Sequence, residues 1–124
     1  MNILIRINKN GKYSLHLRFD NNGVNHLIGA FQGTVQGESV NIELDELSNI
    51  GSKKIKYLTI SCNNEEDKLS YCESGLLLQL EDEVIEYVID RLKLCLTGQD
   101  FYPAEFCEAT FGKHDVTIYG FLEK

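Results

Sequence analysis

No stretch of the sequence reaches the ~18 consecutive apolar residues of a membrane-spanning helix. The start, MNILIRINKN, has a short apolar stretch broken by Arg6 and lacks the long apolar segment of a secretory signal. A cytoplasmic location is therefore expected. Proline occurs once, which argues against a low-complexity chain. The four cysteines, at 62, 72, 95 and 107, form no C-x-x-C pair, and no histidine stands at zinc spacing from them. A zinc finger or ribbon needs that grouping, so no metal is expected. A disulfide framework is not expected in a reducing compartment. The phosphate-cradling glycine loops and the G-x-S-x-G nucleophile turn are missing too, and no cofactor is expected.

What is present is ordinary for a globular chain. The 124 residues suit one domain, 1–124, and can bury a core without a staple. Hydrophobic residues make up 43% and charged residues 25%. The net charge of −7 is unevenly spread. Residues 1–37 carry Arg6, Lys9, Lys12 and Arg18 against Asp20, a net of +3, and residues 38–124 carry −10. Such a surface repels nucleic acid over most of its area and attracts basic proteins.

The pattern predicts an α+β fold: an antiparallel meander sheet of about six to eight strands with one main helix, at about 81–97, packed on it. Residues 2–7, 12–19 and 24–32 read as the first strands, separated by NKNG and DNNG. In the first hairpin Ile3, Ile5 and Ile7 share one face, and Tyr13, Leu15, Leu17 and Phe19 share another. Keeping these faces together requires a loop of odd length. A three-residue Lys9-Asn10-Gly11 loop does so and pairs Ile7 with Tyr13, with Gly11 left-handed. The outer face then carries Leu4, Arg6, Ser14, His16 and Arg18. Residues 38–44 and 55–62 read as further strands. Residues 63–75 read as a mobile loop, and 76–80 as a short strand or a lead into the helix. Residues 104–111 and 114–122 read as a closing hairpin around Gly112-Lys113.

The helix EDEVIEYVIDRLKLCLT is the clearest element. Val84, Ile85, Val88, Ile89, Leu92, Cys95 and Leu96 form its core stripe. Glu81, Asp82 and Glu83 sit in the first turn, where they complement the positive helix end. The opposite side carries Glu83, Tyr87, Asp90 and Leu94, flanked by Glu86. A tyrosine and a leucine within acids have the composition of an anchor for a basic partner. The alternative is that a neighbouring loop covers them. The loop acids Glu65, Glu66 and Asp67 form a second candidate patch.

Catalytic chemistry finds little to stand on. His16 with Arg6 and Arg18 would need a second histidine beside it to act on phosphate, and His26 is the candidate. His114 reads as a turn residue. Glu105 and Glu108 form a carboxylate pair, but paired-carboxylate catalysis needs a cleft and shifted pKa values. A small acidic chain with this helix, followed by PAEFCEA and HDVTIYGF, resembles the immunity proteins of bacterial contact-dependent inhibition and related polymorphic toxin systems. The resemblance implies a non-enzymatic, one-to-one inhibitor of a cognate toxin, often a basic nuclease, bound through acidic side chains. It carries over no individual binding residue, no membrane and no nucleic-acid partner. The alternatives are another cytosolic adaptor, a small-ligand-binding sheet or barrel, and a small hydrolase or nuclease.

Overall fold

The computed structural model describes residues 3–73, 75–97 and 104–123. The chain runs β1 (Ile5–Lys9), β2 (Ser14–Phe19), α1 (Asn21–Val35), β3 (Val40–Glu43), β4 (Asn49–Ile50), β5 (Lys53–Lys54) and β6 (Tyr57–Cys62). It continues through β7 (Lys68–Cys72), β8 (Gly75–Leu80), α2 (Asp82–Leu96), β9 (Ala104–Phe111) and β10 (His114–Leu122). All ten strands join one sheet in the order β3-β6-β8-β7-β9-β10-β2-β1-β4-β5. The pairs β2/β10, β6/β8, β7/β9 and β1/β4 are parallel, and the rest are antiparallel.

The sheet is strongly curled. Leu44, just past β3, donates its N–H to Lys56 O, while the next residue, Asp45, donates to Ile5 O of β1. Consecutive residues thus bond to opposite ends of the strand order. Both helices fill the concave side. Phe31 of α1 and Val88 of α2 meet Ile7, Leu17, Leu58, Leu78 and Ile118 at the centre of the core.

This architecture overturns the expected antiparallel meander of six to eight strands with one main helix. The sheet is mixed, has ten strands and carries two helices. The main error lies at 24–32, predicted as a strand and found inside α1. DNNG is not a hairpin turn but a helix start. Asp20 is the N-cap, and its Oδ1 accepts the Gly23 N–H at 2.7 Å. Val24, Leu27, Phe31 and Thr34 are buried at spacings of three and four. Laid out as a strand, that spacing would put Val24 and Ile28 on one face and Leu27 and Phe31 on the other. Gly23 is required by a close approach: a Cβ there would stand 2.2 Å from Leu4 O.

Gly29 differs from Gly23. It is exposed in the middle of α1, and a Cβ would meet nothing within 4 Å. Gly29→Ala should therefore stabilise the chain by about 0.5–1 kcal/mol, because glycine costs that much in a helix interior. Chemical denaturation reads this as a higher midpoint at unchanged slope.

Smaller corrections follow the same logic. The first hairpin keeps its three-residue loop and odd-with-odd parity, but the loop is Gly11-Lys12-Tyr13, closed by Asn10 N–H to Ser14 O at 2.9 Å. Ile7 pairs with Leu17 rather than Tyr13, and Ile5 with Phe19, four residues along from the expected partners because the loop sits two residues later. This register buries Phe19 completely and leaves Tyr13 half-exposed at the loop. Gly11 has the expected positive φ of 79°. The supposed mobile loop, 63–75, contains β7, and the stretch between the expected strands 38–44 and 55–62 contains the β4–β5 hairpin. The closing hairpin pairs Phe111 with His114 around Gly112-Lys113. No helix among the described residues is long and apolar enough to cross a membrane.

Candidate functional site

The acidic face is built at the start of α2. Glu81 occupies the N-cap position but makes no side-chain cap bond of its own. The loop before β7 supplies the caps instead. Asp67 Oδ1 accepts the Glu81 N–H at 2.9 Å, and Asn64 Oδ1 accepts the Asp82 N–H at 3.2 Å. Asn63 N–H donates to Leu80 O and Asn63 Oδ1 accepts from Glu65 N–H, which fixes the loop's path. Helix N-termini favour carboxylates, so the Asp67 contact has a direct electrostatic cause.

The consequence is that the two acidic patches of the sequence become one. Glu65 and Glu66 are exposed on the capping loop, and Asp82, Glu83, Glu86 and Asp90 are exposed along the helix that follows. Tyr87, 48% exposed, stands within them. The Arg91 guanidinium lies 5.6 Å from the centre of its ring. Leu94 is half-buried. Glu86, Asp90 and Lys93 also face Gln32 and Val35 of α1 and its C-cap Gln36 across an open groove of about 580 Å³. Of the loops expected to cover this side, the capping loop 63–67 sits at the helix start and leaves Tyr87 open. Of the other candidate cover, 99–106, residues 99–103 lie outside the described residues and 104–106 belong to β9.

The histidines do not assemble. His16 is on the outer face of β2, while His26 is exposed on α1 beside Asp20 and Glu43 in a separate cleft. Burial first, and then the Arg18 charge, hold His16 below its ordinary pKa. The two arginines near it are already neutralised. Arg6 Nε meets Asp45 Oδ1 at 2.8 Å, and Arg18 meets Glu123 at 3.0 Å. The Arg6 hydrogen bond, then the Leu47 N–H, hold the Asp45 carboxyl below the usual range. That contribution to stability is present above the ordinary carboxylate pKa of about 4 and is lost as pH falls below it. Glu105 and Glu108 are both exposed on β9.

Cysteine chemistry is graded by burial. Cys95 and Cys107 are buried, Cys62 is half-buried and Cys72 is exposed. The Cys62 thiol donates to Asp82 Oδ1 at 2.8 Å. That bond, then burial, pushes its pKa up to about 11. The thiolate is the nucleophile, so Cys72 should react first with a thiol reagent near pH 8. Asp82→Asn should then speed Cys62 on the order of tenfold while leaving Cys72 unchanged. Timed mass spectrometry of the labelled protein checks both rates. Among the described residues no group of three or more His, Cys, Asp or Glu is placed to hold a metal ion.

Sequence reasoning missed a basic cluster. Lys9 and Lys12 of the first hairpin lie with Lys68 of β7 around one cleft. No sequence signal links residues so far apart. No protein-family model matches the chain, and no curated protein matches its sequence.

Proposed function

We propose that this chain is a non-enzymatic, cytoplasmic protein-binding inhibitor: an immunity protein that neutralises a cognate toxin through its acidic face. The observation that carries this reading is the joining of two acidic segments around one exposed tyrosine. Loop 63–67 caps α2, so Glu65 and Glu66 extend the surface of Asp82, Glu83, Glu86 and Asp90. A basic nuclease domain holds phosphate with lysine and arginine, and such a carboxylate surface complements it. Tyr87 supplies the rigid, partly apolar contact on which interface energy concentrates. The groove against α1, with half-exposed Val35, offers a recess for a partner side chain.

The test begins from the reading frame immediately upstream. It should encode a large secreted protein whose C-terminal domain co-elutes with this chain as a one-to-one complex and is inactivated by it. A toxin domain from that frame that stays active and separate at micromolar concentrations would refute the proposal.

A further inference from the structure

We propose that the lysine-rimmed cleft at the open end of the curled sheet binds a small amphipathic anion, one acid group on an apolar or aromatic body. The cleft has a volume of about 590 Å³. That is the size of a small-molecule site. Its floor is apolar: Leu15, Ile50, Leu69 and Val116 reach it from four different strands and are each at most 6% exposed. Aromatic rings wall it. Tyr71 and Phe111 lie 5.2 Å apart between ring centres, and His114 meets Tyr13 edge-on at 5.4 Å.

The rim is cationic. Lys9, Lys12 and Lys68 line it, and the Lys53 ammonium stands 4.2 Å above the Tyr71 ring. No lining residue is an aspartate or glutamate, in a chain with 19 of them. Among the described residues none of these four lysines makes an ion pair. In a protein of net charge −7, four of the twelve basic residues thus gather unneutralised around an apolar floor. Like charges held near one another repel, and an anion placed between them removes that cost. An apolar body on the floor adds burial. A neutral apolar ligand would leave the lysines without a partner, and a bare inorganic anion would leave the floor wet. The cleft shares no lining residue with the acidic face, so its fate is independent of the toxin-binding proposal.

Two dyes with one aromatic body separate the terms. Anilinonaphthalene sulfonate carries the acid group, and phenylnaphthylamine lacks it. The sulfonate should bind the folded chain saturably at one site, about tenfold or more tighter than the neutral dye. Lys9→Ser combined with Lys68→Ser should cut its preference over the neutral dye by about threefold or more without lowering the melting temperature, since both lysines are exposed. Tyr71→Ala should weaken both dyes. Amide NMR should place the shifts at 68–71 and 110–116. Dodecanoate and dodecyl phosphate, as competitors, distinguish a carboxylate from a phosphate ligand. Three results would each overturn the proposal: no saturable binding, equal binding of the two dyes, or shifts confined to the groove between the helices. Displacement by an acidic peptide but by neither dodecyl compound would do so as well.

Discussion

Gly120→Ala should destabilise the fold by about 3 kcal/mol, the upper part of the range for overpacking a core. Gly120 lies on the inner face of β10, and the Phe106 ring rests directly on it. A Cβ at 120 would stand 2.2 Å from one ring carbon and 2.4 Å from another. The ring has nowhere to go. Phe106 is 2% exposed and lies near-parallel to the fully buried Phe19, 6.0 Å away. The strand cannot retreat either, because β10 is paired on both sides, to β9 and to β2. For a chain of this length the loss corresponds to about 10 °C in melting temperature. Trimming the ring relieves the clash. Gly120→Ala with Phe106→Leu should therefore be more stable than Gly120→Ala alone, although Phe106→Leu by itself destabilises. A double variant that simply adds the two losses would mean that the ring moves freely.

The second large effect concerns association with the partner. Reversing Glu83 and Asp90 to lysine changes the local charge by four on a face whose other exposed acids are Glu65, Glu66, Asp82 and Glu86. Complementary potentials mainly set the encounter rate, so the double variant should associate about tenfold or more slowly at low salt. The deficit should shrink as salt screens both forms. Tyr87→Ala acts on the other arm: it removes a contact rather than a charge. It should speed dissociation by an amount worth more than about 1 kcal/mol, with little change in association. Stopped-flow kinetics at several salt concentrations separates the two. Both substitutions fall on exposed positions of α2, so the fold should survive, with Glu83→Lys costing about 0.3–1 kcal/mol at the helix start.

What was legible in the sequence follows from how local each signal is. Helix α2 announces itself because its apolar stripe, acidic first turn and length all lie within one segment. The β9–β10 hairpin is legible for the same reason, through a two-residue turn with Gly112 at φ 65°. Helix α1 was hidden by chemistry that serves tertiary contact. Gly23 and Gly33 lower its helix propensity, yet a Cβ at either would press on Leu4 O or the Val40 side chain. Strand β7 was hidden because only Leu69 of its five residues is buried. The parallel pairs could not be read at all, since each joins segments separated by other elements. The candidate sites divide in the same way. The stripe Glu83, Tyr87 and Asp90 is a local helical pattern and was readable. Its continuation through Glu65 and Glu66 depends on Asp67 and Asn64 capping a helix from a distant loop. The lysine cleft draws Lys9 and Lys12, Lys53 and Lys68 from three separate stretches of chain, and only the curl of the sheet unites them.

The central claim is that the acidic face of α2 is the surface that meets a basic partner. Titration calorimetry against the C-terminal domain of the upstream-encoded secreted protein tests it most directly. The chain and its Glu83→Lys/Tyr87→Ala/Asp90→Lys variant would be titrated in parallel, with their melting curves recorded first. The account predicts one-to-one binding by the chain and, for an equally stable variant, an affinity lower by about a hundredfold or more. Equal affinities of the two proteins would contradict it.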